Sequence, residues 1–502
     1  MRDCSNSRLW HGQSFSATGR AMKLQQMGAP SAARRGAALL ALALLAAPLR
    51  AGSGDPRGLM PPAEPVIAGT GARPSPPAGG EGNCDALAGA ARTGTALSVS
   101  AWVDLALCLN PDTRASWAGV RSAAAGVGIA RAEELPAVSA TIGGTGGGNK
   151  ILDTPSASFQ TSASGFAGLS IGWLVTDFGG RRARIAGAEA ERAAALAGFA
   201  GVAQDLVLQT VIATNRVVAF EAAVEAARAQ EAFSRASLSA AAEREKVGSG
   251  LKVDRLQAEA AQAEAQLQLR RTEANLKIAR AQLAVAAGLD PETPARVSDW
   301  LAYRDPQLVS AAAADLIATA ERLRPDLRVR EAQREAALAG LERARAARRP
   351  SIALSANPAV RFDDSIPDSA GASVGLTLSV PVFQGFGLAY GIRRAEAERD
   401  RAAALFESTR QSVGLDVFAS LENFEAELAN LVTARRRLAS AEEAADLALG
   451  RYRAGVGQIV DLLNAQASLA AARREQVSAE FEVRSRRVEL ARAIGRVEEV
   501  LP

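Results

Sequence analysis

Cysteine and histidine are the residues of this chain with the most distinctive chemistry, and both are scarce. The 502 residues include three cysteines and one histidine. Cys4 and His11 fall within residues 1–51, so the rest of the chain has no histidine for a catalytic triad, a metal site or a proton shuttle. No carboxylate pair stands out among the 54 acidic residues, and no Gly-x-x-x-x-Gly-Lys nucleotide loop is present. We therefore expect no enzyme and no cofactor.

Residues 1–51 have the pattern of an export signal. Arg34 and Arg35 precede an apolar run over residues 36–47, and Pro48-Leu49-Arg50-Ala51 follows, with a small residue at its end. This is typical of a signal peptide cleaved near Ala51, and a buried core helix is the alternative. Twelve apolar residues are too few to span a bilayer as a helix. No later run approaches 18 apolar residues, so the exported chain is expected to be either soluble in the periplasm or an outer-membrane barrel.

The net charge of the whole chain does not represent the exported part, because residues 1–51 are strongly basic. The formal net charge is +4, but seven basic residues against one acidic residue lie in residues 1–51, which leaves the remainder at −2. A nucleic-acid partner is therefore not expected.

Export also places Cys84 and Cys108 in an oxidising compartment, where a disulfide is favoured over a metal site. Two separate buried thiols are the alternative.

The elements that must position any site are duplicated. Gly248 and Gly250 lie between two long Ala-rich helical segments, and Gly455 and Gly457 lie between two more, 207 residues later. Glycines at this density predict a tight reversal between helices. The same offset relates Asp254 to Asp461 and Gly288 to Gly495. A constant offset over roughly 120 residues indicates two tandem copies of one unit.

Each copy also contains strands with one apolar face. The alternating apolar residues are Leu169, Ile171 and Trp173 in the first copy, and Val374, Leu376, Leu378 and Val380 in the second. Gly, Ser and Thr lie between them, as in barrel strands that face lipid on one side and water on the other, or in half-buried strands of a soluble sandwich. Two hairpins give four strands per chain, whereas a membrane barrel needs about eight to close. Several chains must then share one barrel, as a dimer or a trimer.

Long helices are predicted to follow the strands, from about Gly180 and Gly387. The first runs for some 68 residues without proline, on the order of 100 Å, and so needs coiled-coil neighbours. The expected organisation is a leader (1–51), a Pro/Gly-rich tail (52–97), repeat 1 (98–288), an irregular equatorial linker (289–323), repeat 2 (324–495) and a C-terminal tail (496–502).

Together these features resemble the TolC-like outer-membrane factor family of trimeric export ducts, over about residues 98–497. The resemblance rests on the duplication, on both Gly-x-Gly reversals, and on the following segments: Arg324-Pro325-Asp326-Leu327, Asp177-Phe178-Gly179-Gly180, and Arg451-Tyr452 with Gly455, Asp461-Leu462-Leu463 and Gln466. It implies an all-α plus membrane-β fold. Three chains of four strands each would form a 12-stranded outer-membrane barrel, continued by an α-helical coiled-coil tunnel through the periplasm.

The resemblance also implies partners and residue roles. The homotrimer would sit in outer-membrane lipid and dock a periplasmic membrane-fusion adaptor and an inner-membrane ABC transporter or other pump. The reversals at Gly248, Gly250, Gly455 and Gly457 would be the docking tips. In the family, two rings of acidic residues line the periplasmic aperture. The matching positions here are Asp461 and Asn464, and because Asn464 is neutral one acidic ring is missing. Tyr452 and Asp254 occupy the positions of a tyrosine–aspartate contact between neighbouring hairpins in the family. The position of an aperture-locking arginine in the family is Gly457 in this chain, so that lock is absent.

The resemblance leaves the cargo open. Cys84 and Cys108 with the segment 107–111 resemble members encoded with type I secretion systems, which implies export of a polypeptide toxin of the adenylate cyclase–haemolysin class. A multidrug efflux channel is the first alternative. A non-channel periplasmic coiled-coil adaptor is the second, although two hairpins and four alternating strands in one chain argue against it.

Overall fold

A computed structural model describes residues 81–149, 160–298, 312–363 and 367–497. The helices of this part are α1 (Glu81–Arg92), α2 (Val99–Leu109), α3 (Pro111–Ala132), α4 (Gly180–Lys246), α5 (Lys252–Ala286), α6 (Ala313–Leu323), α7 (Pro325–Ala346), α8 (Gly387–Arg453) and α9 (Ile459–Ile494). The strands are β1 (Ala137–Asn149), β2 (Gln160–Thr176), β3 (Ser351–Asp363) and β4 (Ser369–Ser379). The leader, most of the N-terminal tail and residues 498–502 lie outside the described residues, so what the sequence indicates for them remains a prediction.

The four strands form one antiparallel sheet in the order β1-β2-β3-β4. Its register gathers the alternating apolar residues on one face, because directly paired residues of antiparallel strands share a face. Ile171 pairs with Val138 on one side and Ala356 on the other, and Ala356 pairs in turn with Val374. The β4 members are the most open, with Val374 77% exposed. An apolar face this exposed does not fit a strand that is half-buried in a soluble sandwich.

The opposite face of the sheet carries small and polar residues. Gly172, Ser355 and Gly375 are paired across β2, β3 and β4. Phe166 is an exception on this face, since its ring covers Gly143, where an added Cβ would lie 2.6 Å from it.

The long helices lie side by side below the sheet. In the half near the sheet, α4 contacts α3 and α7, and α7 contacts α8. In the distant half, α4 contacts α5 and α9, and α9 contacts α8. Helices α4 and α8 have 67 residues each, on the order of 100 Å at the α-helical rise. The layer therefore has α3 and α5 at one edge and α8 at the other.

Short helices cover one face of this layer at mid-height. Helix α2 packs on α4 and α9 through Val99 and Val103, which contact Val207, Val211 and Val488. Helix α6 occupies the corresponding position of the second copy, where Leu316 and Ala320 pack against residues of α8 and α9. Helix α1 lies inside the segment assigned to the N-terminal tail, and α6 lies inside the segment assigned to an irregular linker. Both segments are therefore partly helical.

A disulfide attaches α1 to this layer. Cys84 of α1 and Cys108 of α2 are bonded, with their Cα atoms 6.4 Å apart. Cys84 is buried, and Ala88 and Ala91 of the same helix join Trp102 and Leu105 in the core below. Of the two alternatives left by the sequence, the structure therefore has the bonded pair.

The Arg324-Pro325-Asp326-Leu327 segment starts α7 and ties it to α8. Pro325 is at the first helical position, where its missing N–H and fixed φ are compatible with a helix. Arg324 is 4% exposed and contacts the carboxylates of Asp326 at 2.6 Å and Asp416 at 3.1 Å. Burial disfavours the guanidinium charge, but the hydrogen bonds and charges of the two aspartates outweigh it and raise the pKa of Arg324.

Counting apolar runs misses one feature of α4. By length and composition this helix passes the test for a membrane span, which runs against the expectation that no such segment exists. The core helix of a soluble protein passes the same test, and Leu206, Val207 and Val211 of α4 are buried against α2 and α9.

Candidate functional site at the helical hairpin tips

The two helical reversals at the far end of the layer have the same geometry. Gly248 and Gly455 have φ of 76° and 82°, the left-handed conformation that glycine adopts without a Cβ clash. Gly250 and Gly457 are needed for a different reason, because an added Cβ would come within 2.9 Å of Arg244 and 3.0 Å of Tyr452 respectively. Each glycine of a pair thus has its own steric role.

The hydrogen bonds of the reversals match as well. The N–H groups of Ser249 and Gly250 both donate to the carbonyl oxygen of Arg244 at 2.9 Å. In the second copy, Val456 and Gly457 donate to the carbonyl oxygen of Arg451 at 3.1 Å. These bonds satisfy the last carbonyls of α4 and α8, which a helix end would otherwise leave unpaired. The two tips are therefore the same structural unit used twice.

Arg244 joins the two tips to each other. Its Nη1 donates to the carbonyl oxygen of Tyr452 at 3.0 Å, and its Nη2 donates to the carbonyl oxygen of Ser249 at 3.3 Å. The guanidinium carbon also lies 4.6 Å from the centroid of the Tyr452 ring, within the range of a cation–π interaction. One side chain therefore holds its own reversal and the end of the other hairpin.

Tyr452 is the centre of the apolar packing at the tips. It is 1% exposed and contacts a cluster that includes Ala241, Ala258, Ile459 and Leu462. Among the described residues, its buried hydroxyl has no hydrogen-bond partner. Burial, with a smaller effect from the negative charge of Asp254, raises the pKa of Tyr452.

Tyr452 and Asp254 are therefore close enough to interact electrostatically, but no hydrogen bond joins them within this chain. Asp254 lies in the first turn of α5 and is half-buried. Its neighbour Arg255 forms ion pairs with Glu245 at 2.7 Å and Glu259 at 2.8 Å.

Asp461 and Asn464 are both exposed and lie three residues apart in α9, so they share one face of the helix. Leu462, between them, is fully buried on the opposite side. Further along α9, Gln466 is buried and donates to the hydroxyl of Ser237 in α4. The exposed pair thus faces away from the contact between the two hairpins.

The sequence analysis missed Arg244 as a contact residue. The 207-residue offset places it opposite Arg451, and so the repeat contained a signal for it. The offset also places Glu245 opposite Tyr452, and this asymmetry allows Arg244 to reach an aromatic ring in the other copy. In the described part of the chain, no group of three or more His, Cys, Asp or Glu residues could hold a metal ion.

Comparison with known proteins agrees with this architecture. The family model for outer membrane efflux proteins matches residues 102–289 and 316–496, one match in each copy. The chain therefore belongs to the outer membrane efflux protein family, whose members form trimeric outer-membrane channels that work with periplasmic adaptors and inner-membrane pumps.

The sequence identity to individual members of known function or structure is below 30%. The chain is 29% identical to Protein CyaE of Bordetella pertussis over 404 residues, 78% of this chain and 83% of that protein. It is 26% identical to the outer membrane efflux protein BepC of Brucella suis over 394 residues, 77% of this chain and 83% of that protein. The solved structure of the Campylobacter jejuni CmeC outer membrane channel superposes with a TM-score of 0.72 at 17% identity, covering 80% of this chain and 86% of that one.

The fold is accordingly that of one protomer of a trimeric channel. Three copies of the four-stranded sheet give twelve strands, which is enough to close a barrel, and the helical layers continue it as a tunnel in the periplasm. The exposed apolar face of the sheet then meets lipid. The protein is a channel of the outer membrane and not an enzyme.

Proposed function

We propose that this channel is the outer-membrane duct of a type I exporter that passes a polypeptide toxin of the adenylate cyclase–haemolysin class directly to the exterior. The observation that carries the proposal is the similarity to Protein CyaE over 404 residues. The Cys84–Cys108 pair supports it, because this pair with the segment 107–111 resembles members encoded with type I secretion systems.

Efflux of small molecules is the second candidate function. The similarity to the outer membrane efflux protein BepC, at nearly the same coverage as that to Protein CyaE, favours it. Both candidates need the same parts in this chain, since a channel with no energy source of its own depends on an inner-membrane pump and on an adaptor that links the two. The reversals at Gly248–Gly250 and Gly455–Gly457 are the proposed docking tips for that adaptor.

The proposed mechanism places the gate at the same end of the tunnel. Tyr452, Asp254 and Arg244 would hold the two hairpins of a protomer together in the resting state. Asp461 and Asn464 would line the aperture, as one acidic and one neutral ring in the trimer. Position 457 is glycine, and the added-Cβ contact at 3.0 Å means that an arginine could not occupy it without a shift of the turn.

A deletion strain distinguishes the two candidate functions. Culture-supernatant polypeptides and tolerance to a panel of drugs are compared with the parent strain and with a complemented strain. Loss of one large secreted protein at unchanged drug tolerance is the expected result. Unchanged secretion with heightened drug sensitivity would overturn the type I proposal and favour efflux.

A further inference from the structure

We propose that the junction between β2 and α4 binds the phosphate groups of anionic phospholipids in the periplasmic leaflet of the outer membrane. The site is built from Arg182 and Arg349, with Phe178 beside them. These side chains would select one headgroup class from the lipid that surrounds the barrel.

The two arginines line one cavity. A space of about 580 Å³ lies between the start of α4 and the end of α7, bordered by Arg182, Arg349, Phe178 and the small side chains of Ala186 and Ala339. Arg349 is oriented by its Nη1, which donates to the carbonyl oxygen of Phe178 at 2.6 Å. The remaining guanidinium N–H groups of Arg349 and the whole guanidinium of Arg182 have no carboxylate partner in the described structure.

The carboxylates around this cavity are mostly engaged elsewhere. Asp177 accepts from the backbone N–H of Arg181 at 2.7 Å and pairs with Arg184 at 3.6 Å. Glu342 pairs with Arg345 at 2.9 Å. Glu134 is the one lining carboxylate of the described residues with no ion pair. Two guanidinium groups against one such carboxylate leave a positive site that suits a phosphate diester.

The height of the cavity matches the headgroup layer. The exposed apolar residues of β2 continue as far as Val175, and Phe178, three residues later, is 50% exposed. The polar layer of a bilayer is about 5–8 Å deep on each side of the hydrocarbon core. Arg182 lies in the first turn of α4, which begins two residues after Phe178, and so its guanidinium would lie in this layer while the Phe178 ring remains at its apolar boundary.

The cavity opens on the outer side of the tunnel. Arg182 precedes Thr210 by four heptads, and positions that differ by whole heptads lie on the same face of a coiled-coil helix. Thr210 lies between Val207 and Val211, on which α2 packs. Twelve helices spaced about 10 Å apart enclose a lumen on the order of 30 Å wide, which three copies of α1, α2 and α6 would fill. These short helices, and with them Arg182, must therefore face outward.

The site is also distant from the contacts between protomers. Strands β2 and β3 are the central pair of the sheet, whereas neighbouring chains meet at the edge strands β1 and β4.

Native mass spectrometry of the purified trimer tests the proposal. Detergent micelles are supplied with an equimolar mixture of phosphatidylglycerol and phosphatidylcholine, and the lipids that remain bound are counted. The wild-type trimer is expected to retain phosphatidylglycerol at least five-fold over phosphatidylcholine, and R182Q/R349Q is expected to lose this preference. The matched control is R436Q/R453Q, which removes two exposed arginines of α8 that are remote from the sheet and have no ion-pair partner in the described structure.

Two further measurements test whether the charge of the arginines and the lipid as a whole are required. R182K/R349K keeps both charges and should keep most of the preference, even if loss of the Arg349–Phe178 bond disturbs the glutamine variant. Soluble glycerol 3-phosphate at millimolar concentration should not displace the lipid. Equal retention of the two lipids by the wild type, an unchanged preference in R182Q/R349Q, or displacement by glycerol 3-phosphate would each overturn the proposal.

Discussion

The guanidinium of Arg244 lies 4.6 Å from the centre of the Tyr452 ring and also donates a hydrogen bond to the carbonyl oxygen of Tyr452. The two residues are 208 positions apart and belong to different hairpins. Both interactions are made inside one protomer. Arg244 therefore joins the two hairpins, together with the Gln466–Ser237 hydrogen bond and the apolar cluster around Tyr452.

Substitution of Arg244 should loosen the tips. R244Q removes the cation–π contact and the bond to Tyr452, and we expect the purified trimer to show a higher open conductance in planar lipid bilayers. R453Q is the control, since Arg453, the residue after Tyr452, is an exposed arginine with no partner in the described structure. Equal conductance of R244Q and the wild type would show that Arg244 does not restrain the aperture.

The hydroxyl of Tyr452 should matter less than its ring. Because the hydroxyl is buried without a partner, Y452F is expected to change the free energy of unfolding by less than about 1 kcal/mol, or to raise it. Y452A leaves a cavity in the tip cluster and is expected to cost about 3–5 kcal/mol. Denaturant unfolding of the trimer measures both. A large loss in Y452F would mean that the hydroxyl does make a hydrogen bond in the folded trimer.

The raised pKa of Tyr452 also predicts a pH dependence. The neutral phenol is favoured in the folded state, so its contribution to stability is complete below the unfolded pKa of about 10 and is lost as the pH rises through the higher folded value. Thermal unfolding between pH 9 and 11.5 should show a steeper loss of stability for the wild type than for Y452F. Identical slopes would indicate that Tyr452 does not titrate differently in the two states.

The disulfide should hold α1 in place without supporting the channel itself. It links residues 24 positions apart, and a loop of that length corresponds to about 3 kcal/mol in the chain-entropy description. C84S/C108S is expected to lose hydrogen-exchange protection within α1, while α4 and α8 keep theirs. The wild type treated with reductant serves as the comparison. Uniform loss of protection along the long helices would contradict this assignment.

The ion pairs of Arg324 should respond unequally to substitution. Asp326 and Asp416 are 42% and 47% exposed, so water can solvate them when R324Q removes their partner. The double variant D326N/D416N instead leaves a guanidinium that is only 5% exposed without a counter-charge, which costs about 3–5 kcal/mol. Denaturant unfolding should therefore give a lower free energy of unfolding for D326N/D416N than for R324Q. The reverse order would show that packing of the arginine stem dominates.

The sequence predicts the repeated architecture well because repetition and periodicity are local patterns. The 207-residue offset aligns Gly248 with Gly455, and the structure gives both the same left-handed φ and the same capping bonds. The alternation of Leu376 and Leu378 with small residues likewise predicts a single apolar face, which the strand register confirms.

Contacts between distant segments were harder to predict. Residues 81–97 follow a Pro/Gly-rich stretch and read as a tail, but the Cys84–Cys108 bond and the burial of Ala91 fix a helix there. The 207-residue offset aligns Arg244 with Arg451, but the contact of Arg244 with Tyr452 depends on how closely the two tips approach each other, which the offset does not give. Local pattern determined the elements, and packing between the copies determined the site.

The unpaired edges of β1 and β4 have a genetic consequence. Each chain supplies two edges that only neighbouring copies can satisfy, so one defective subunit spoils the two sound subunits assembled with it. In a cell that makes equal amounts of sound and edge-defective subunits that mix freely, about one trimer in eight contains sound copies alone. Alleles that damage an edge strand but still allow assembly should therefore be dominant, whereas a deletion of the whole chain should be recessive.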